Sequence, residues 1–449
     1  MNNKLKDISI ELHSLAVFHN LLGDPVISAL LKYFDVCDKE PQTEAVAAYT
    51  QIASRLYEAK TDNLSRYIQG IVNDDENVYL RSVGAGEELP KLLVRSVEEE
   101  LKILQNLSEL TPEFLRSTLE WRGFLPQWQT ERLDIAADYA CRTKDIGKYG
   151  YGIYARYHMF YLDGAKGIVP VCNPDTTRLS DLADYEREKK LILDNTRALL
   201  DGKPAANILL TGDAGTGKSS TIKAVANELY REGLRILEVR KEQLHQIPAI
   251  LDELTVNPLK FILFIDDLSF TKDDDDFSAL KAILEGSVSA KSQNVAIYAT
   301  SNRRHLVKET FSDRQGDEIH LNDTMQEIIS LSERFGLQIT FSRPDKNTYL
   351  DIVHTLAASK YIMMSTEELD KAAEQFALAR GTRSARAARQ FVDRLITNLS
   401  LYAAGLPDGI GIPPRFSEMN PKGDAFVVHI TADGAFFHAF FGFFGIFVS

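Results

Sequence analysis

The sequence predicts an α/β protein: a parallel sheet with helices on both faces, preceded and followed by helical regions. Three observations predict it. Short β-rich apolar runs, "ANILLTG", "LRILEVR", "FILFIDDL", "VAIYATSN" and "LQITFS", alternate with helical stretches from residue 206 onward. The first of these runs stops at a Gly-rich loop, Gly212 to Ser219, that fits G-x-x-x-x-G-K-[ST] and opens a helix. Residues 1 to about 145 instead carry apolar residues at three- and four-residue spacing, the mark of amphipathic helices.

The bulk numbers fit this. A chain of 449 residues is long enough for two or three domains, and 44% hydrophobic with 26% charged residues is ordinary for a globular protein. The net charge of −13 argues against a sequence-blind grip on nucleic acid; such a partner is not excluded, but nothing supports it. Cys37, Cys141 and Cys172 are odd in number, far apart and without C-x-x-C spacing, which argues against a disulfide framework or zinc site and suits a reducing cytoplasm. The start, "MNNKLKDISIELHSL", is too polar and acidic for a secretory signal.

Taken in order, residues 1–165 read as a helical N-terminal domain, carried by "LHSLAVFHNLLGDPVISALLKYF", "TEAVAAYTQIASRLYEA" and "SVEEELKILQNL". His13 and His19 stand isolated within it and read as packed or exposed side chains. "KYGYGIYARYHMFYLDG" is aromatic-rich and reads as a junction packing onto the next domain, with base stacking as the alternative. Residues 166–343 read as the α/β domain, 344–405 as helical again, and 406–449 as a C-terminal extension. The extension ends in "AFFHAFFGFFGIFVS", with seven of the 23 phenylalanines between Phe436 and Phe447. Its apolar run of about 14 residues is shorter than the roughly 20 of a spanning helix, so no transmembrane segment is expected. A buried strand or atypical chain end stands against a docking or membrane-touching tail.

The chemistry gathers at the strand ends, where parallel sheets bind ligands. The loop glycines let backbone N–H groups approach phosphate, and the following helix presents its positive end. Lys218 is placed to reach the β- and γ-phosphates, the Ser219 hydroxyl to ligate Mg²⁺, and Thr216 and Ser220 to add donors. "FILFIDDL" ends in Asp266, a carboxylate for Mg²⁺, and Asp267, placed to orient or activate an attacking water. The alternative for that pair is a hydrated turn. Asn302 ends a third strand, in position to bond the water or γ-phosphate. Arg303 and Arg304 read as surface residues. Arg334 precedes another strand; an arginine acting in trans and a surface salt bridge are both open. Arg383, Arg386 and Arg389, three apart, share a helix face that either folds over a triphosphate or is simply basic. Asp273 to Asp276 read as a solvated acidic loop and Glu285 as an interface residue.

As a whole the motif set resembles the AAA+ ATPases. Asn207 to Ser220 looks like Walker A, "FILFIDD" like Walker B, Asn302 like sensor 1, Arg334 like the arginine finger and Arg383 like sensor 2. More narrowly, "LLTGDAGTGKSSTIKAVANE", "LKAILEGSV", "YATSNRRHL", "SLSERFGLQITF" and "RSARAARQFVDRL" are similar to a bacterial family of predicted AAA+ ATP-binding proteins labelled only as a domain of unknown function, over about 168–403. The resemblance implies a P-loop αβα sandwich with a five-stranded sheet and helical lid, ATP and Mg²⁺, and a homo-oligomer with sites shared at subunit boundaries. It places Gly212, Asp213, Ala214, Gly215, Thr216, Gly217, Lys218, Ser219 and Ser220 around the phosphates, and Leu182, Ala183 and Tyr185 beside adenine. Two departures stand out: Asp266-Asp267 replaces the usual Asp-Glu of Walker B, and Asp184 stands where the family tends to have Gly. The expected function is ATP hydrolysis coupled to remodelling or loading a macromolecular partner, such as a protein client. The alternative is an ATP-dependent binding or oligomerisation switch with little turnover. A GTPase or small-molecule kinase is disfavoured by the lack of an N-K-x-D guanine motif, which the isolated Asn347 does not supply.

Overall fold

The computed structural model describes residues 2–37, 41–268, 275–285, 293–302, 333–360, 362–404, 426–432, 435–442 and 445–448. The first third is helical: α1 (Asn2–His13), α2 (Pro25–Val36), α3 (Gln42–Glu58), α4 (Leu64–Asn73), α5 (Val78–Gly84), α6 (Lys91–Ser108), α7 (Pro112–Arg116), α8 (Ile135–Lys144), α9 (Ile146–Tyr149) and α10 (Ile153–Arg156). Helix starts follow local chemistry. Asp24 caps α2 by accepting from the N–H groups of Val26 and Ile27, and Pro25 takes the first turn, where a missing N–H does no harm. Helices α1–α9 close on one apolar cluster that includes Leu5, Tyr33, Tyr49, Leu104 and Trp128. Glu100 is buried there, and its two oxygens accept from the N–H groups of Ala16, Val17 and Phe18 at 3.0–3.1 Å. Those bonds are what make a buried carboxylate tolerable.

A seven-stranded sheet follows. Its strands are β1 (Met159–Asp163), β2 (Gly167–Pro170), β3 (Ile208–Gly212), β4 (Leu234–Val239), β5 (Lys260–Ile265), β6 (Val295–Ser301) and β7 (Leu337–Phe341), in the spatial order β2-β1-β4-β5-β6-β3-β7. All neighbours pair in parallel except β1 with β2. The five predicted runs are β3 to β7, and the P-loop strand β3 lies between β6 and β7. The five-strand expectation is corrected by the extra hairpin. Its physical cause is the aromatic junction, where Tyr154, Phe160 and Leu162 pack into the core on one sheet face and Met159 into the core on the other. The sheet therefore begins before residue 166.

Period-two alternation sets the faces. Ile208 and Leu210 of β3 point into one core, with α11 (Glu186–Leu200) and α12 (Lys218–Leu229); Leu209 points into the other, with α13 (Ile247–Thr255) and α14 (Asp275–Glu285). With both faces covered, the central strands are buried along their length, which is why they read as continuous apolar runs. Helices α15 (Lys346–Ser359), α16 (Thr366–Arg380) and α17 (Ala385–Ala404) form a further apolar cluster around Tyr349, Ile352, Leu369 and Phe391. The Phe-rich tail is extended: β9 (Phe426–Ala432), β10 (Ala435–Gly442) and β11 (Gly445–Val448) form an antiparallel meander, and β11 pairs in parallel with β8 (Ile362–Met363). No helix among the described residues is long and apolar enough to cross a membrane. Arg303, Arg304, Asp273 and Asp274 lie outside the described residues, as do the side chains of Asp275, Asp276 and Glu285.

Candidate functional site

A cavity of about 450 Å³ opens beyond the carboxyl ends of β3, β5 and β6, beneath α15 and α17. That volume is in the range of small-molecule sites. Its floor is the P-loop. Gly212 has φ +139°, and a Cβ there would fall 2.1 Å from the Phe341 carbonyl oxygen. Gly215 and Gly217 also have positive φ, +81° and +96°. Only glycine meets these demands without strain. Gly217 is the N-cap of α12, so the helix's first N–H groups face the cavity.

Lys218 is 5% exposed. Its ammonium donates to the carbonyls of Gly212 and Asp213, both at 2.8 Å, and to Asn302 Oδ1 at 3.1 Å. Burial pulls its pKa below the usual lysine value, with Asp213, Asp266 and Asp267 opposing that pull. Ser219 Oγ donates to Asp266 Oδ1 at 2.6 Å, and Thr300 Oγ1 donates to the same oxygen at 2.5 Å. The Asp267 N–H donates to Thr300 Oγ1 at 2.9 Å, and Asn302 Nδ2 to Asp267 Oδ1 at 2.6 Å. Asp267 is left-handed, φ +53°, a conformation that costs a non-glycine residue about 1–3 kcal/mol and collects at working sites.

Ala214, Thr216, Lys218, Ser219, Ser220, Asp266, Asp267 and Asn302 all line the cavity, while Gly212 and Asp213 sit behind it as acceptors for Lys218. At the far end Leu182, Ala183 and Tyr185 line it opposite Ile352 and Leu356 of α15. Asp184 and Tyr185 are both left-handed, φ +67° and +63°, the backbone condition that a glycine at 184 would satisfy without strain. The Tyr185 hydroxyl donates to the Ser342 carbonyl at 2.6 Å, and burial raises its pKa.

The structure separates the arginines. Arg383 makes a two-pronged pair with Glu374, Nε and Nη2 each 3.0 Å from its carboxylate, and does not line the cavity. Arg386 and Arg389 do line it. The Arg386 N–H also donates to the Gly215 carbonyl at 3.1 Å, fastening α17 to the P-loop. Arg334 lies elsewhere. Strand β7 runs parallel to β3 with Leu337 beside Ile208 and Phe341 beside Gly212, so Arg334, before β7, sits at the sheet end opposite the P-loop. Sequence reasoning missed Thr300, Ile352 and Leu356. Thr300 was within reach, since it lies two residues before Asn302 and so on the same strand face. Ile352 and Leu356 are an apolar i,i+4 pair, and nothing in the sequence distinguishes them from other apolar positions of a helix.

A family model described as "Protein of unknown function (DUF815)" matches residues 155–399, more than half of the chain. The chain belongs to the DUF815 family. It is of the AAA+ superfamily, as the motif order implies. The match begins before β1, so the extra hairpin is part of the family's unit. Among curated proteins, the Lon protease of Mycoplasma mobile is 24% identical over 382 residues, covering 75% of this chain and 44% of that protein. This chain thus spans less than half the length of the curated relative it matches. Among solved structures, a RuvB mutant from Thermotoga maritima is similar with a TM-score of 0.35 and 18% identity, over 50% of this chain and 66% of that one.

Proposed function

We propose that this DUF815 protein binds and hydrolyses ATP and couples that cycle to a macromolecular partner. One observation carries the reading: the phosphate loop, two carboxylates, Asn302 and two lid arginines converge on a single cavity. The P-loop amides and Lys218 receive the triphosphate, Lys218 exchanging its two carbonyl bonds for phosphate oxygens. Ser219 and Asp266, already 2.6 Å apart, form an oxygen-only pair suited to Mg²⁺. A magnesium held there takes its remaining ligands from phosphate and water. Asp267, held by Asn302, orients the attacking water from its carboxylate. Arg386 and Arg389 supply positive charge from the lid, and Leu182, Ala183, Ile352 and Leu356 enclose the base. Arg334, remote from its own cavity, serves a neighbouring subunit in a homo-oligomer.

A second reading, a nucleotide-dependent switch with little turnover, is favoured by one feature: the water-orienting position carries the shorter Asp267, tied by Asn302. ATP turnover per subunit, measured against protein concentration with Lys218→Ala as control, decides between them. Turnover that rises steeply with concentration and disappears in the control is the expected result. Flat, negligible turnover with ATP still bound selects the switch. Failure to bind ATP removes both.

A further inference from the structure

The turn Leu182–Tyr185 is held in an unusual way. Two consecutive non-glycine residues, Asp184 and Tyr185, are left-handed. Such backbone persists only where its surroundings impose it. Packing alone does not impose it here, because the turn is a thin partition. The cavity described above lies on one side, and a second one of about 460 Å³ lies on the other, with Leu182, Ala183, Asp184 and Lys189 lining both. What fixes the turn is a small set of bonds at its two ends. At one end the Lys189 ammonium, on α11 and 7% exposed, donates to the Leu182 carbonyl at 2.6 Å. It also meets the Glu186 carboxylate at 2.6 Å, but that partner is 84% exposed and its pull is screened by water. At the other end the Tyr185 hydroxyl reaches the Ser342 carbonyl, its ring packs on Phe341, and Ala183 rests against the lid cluster.

We propose that Lys189 is a positioning residue for recognition of the nucleotide base: it pins the Leu182–Tyr185 turn, so that the base end of the cavity is preformed independently of the phosphate end. This rests on the ATP reading above. A buried ammonium strengthens its bond to a carbonyl. Removing it leaves that carbonyl without its donor and lets the turn relax into the space behind. The phosphate end is built from separate parts, the P-loop and Lys218, and keeps its grip. Base affinity and phosphate affinity therefore come apart in the variant.

The test is calorimetric binding of ATP and of inorganic tripolyphosphate to the full chain. Lys189→Met keeps the apolar stem and loses the ammonium. It is expected to lower ATP affinity by about tenfold or more while tripolyphosphate affinity stays within about twofold. Glu186→Gln is expected to change neither. Should the Met variant not fold, Lys189→Arg, which keeps a buried cation of different reach, is expected to show a smaller loss confined to ATP. An equal fall for both ligands, or unchanged ATP affinity, overturns the proposal. A wild-type chain that binds neither ligand instead overturns the nucleotide reading, and this inference with it.

Discussion

The floor and the roof of the cavity differ in how their polar groups are held. On the floor Lys218, Ser219, Thr300, Asp266, Asp267 and Asn302 already satisfy one another through bonds of 2.5–3.1 Å. On the roof, Arg386 and Arg389 face the cavity, and among the described residues neither guanidinium has a hydrogen-bond or ion-pair partner. The floor is a preorganised network that a ligand must rearrange. The roof instead presents two cationic side chains from a helix that is fastened to the P-loop through its backbone.

Four predictions break or sharpen that contrast. The largest concerns what neither surface supplies. Arg334→Ala should lower turnover by about 10³-fold or more while ATP binding stays nearly intact, since Arg334 lies outside its own cavity. Equal loss of binding and turnover would place Arg334 in the support of its own subunit and complete the cavity within one chain. Next, Asp267→Asn should keep ATP bound and cut turnover by on the order of 10²-fold. Unchanged turnover in a single-turnover assay removes the floor's claim to the chemistry.

The third sets two arginines of one helical segment against each other. Arg386→Ala should reduce turnover by about 10-fold to 10²-fold, the effect of losing one charged donor near the transferring group. Arg383→Ala should leave turnover within about twofold, because its guanidinium is spent on Glu374. Reversed results would mean that the lid turns over its arginines when nucleotide binds. The smallest effect is on stability. Arg383 and Lys346 hold the Glu374 carboxyl below its usual 4.5. A carboxyl depressed in the folded state contributes stability above its unfolded value, and that contribution is lost as pH falls through the folded value. The melting temperature of Glu374→Gln should therefore lie slightly below wild type at neutral pH, and the gap should start to narrow as pH falls past about 4.5 and close only below the depressed folded-state value. A gap that persists in acid assigns the effect to packing.

This contrast also marks what the sequence could reveal. The floor is a local object. Gly212, Gly215 and Gly217 bend one loop, Lys218 opens one helix, and Asp266 ends one apolar strand, so each role is written within a few residues. The parallel sheet with helices on both faces followed in the same way, from continuous apolar runs that suit strands covered on both sides. The roof is tertiary. Arg383, Arg386 and Arg389 have equivalent spacing, and the choice among them is made by Glu374 on the preceding helix and by the Gly215 carbonyl that fastens α17. Lys189 was illegible for a related reason. A lysine in a helix reads as surface, and its burial depends on a turn whose left-handed residues carry no glycine to announce them. The extra hairpin was hidden by its aromatics, which read as a junction because Tyr154 and Phe160 precede the regular alternation of strand and helix.

One buried side chain gives the molecule a mechanical property. Helix α12 begins at Lys218 on the cavity floor and runs about 18 Å to its far end. There Arg235, 4% exposed, donates to the carbonyls of Tyr230, Leu234 and Tyr154 at 2.7–2.9 Å, riveting the helix exit to the sheet and to α10. Alongside, Gly233 approaches Gly147 of α9 so closely that a Cβ would come within 2.1 Å of its carbonyl oxygen. Helix α12 thus has its first turn at the cavity and its exit fixed against α9 and α10, so one continuous element joins the cavity floor to the last of the N-terminal helices.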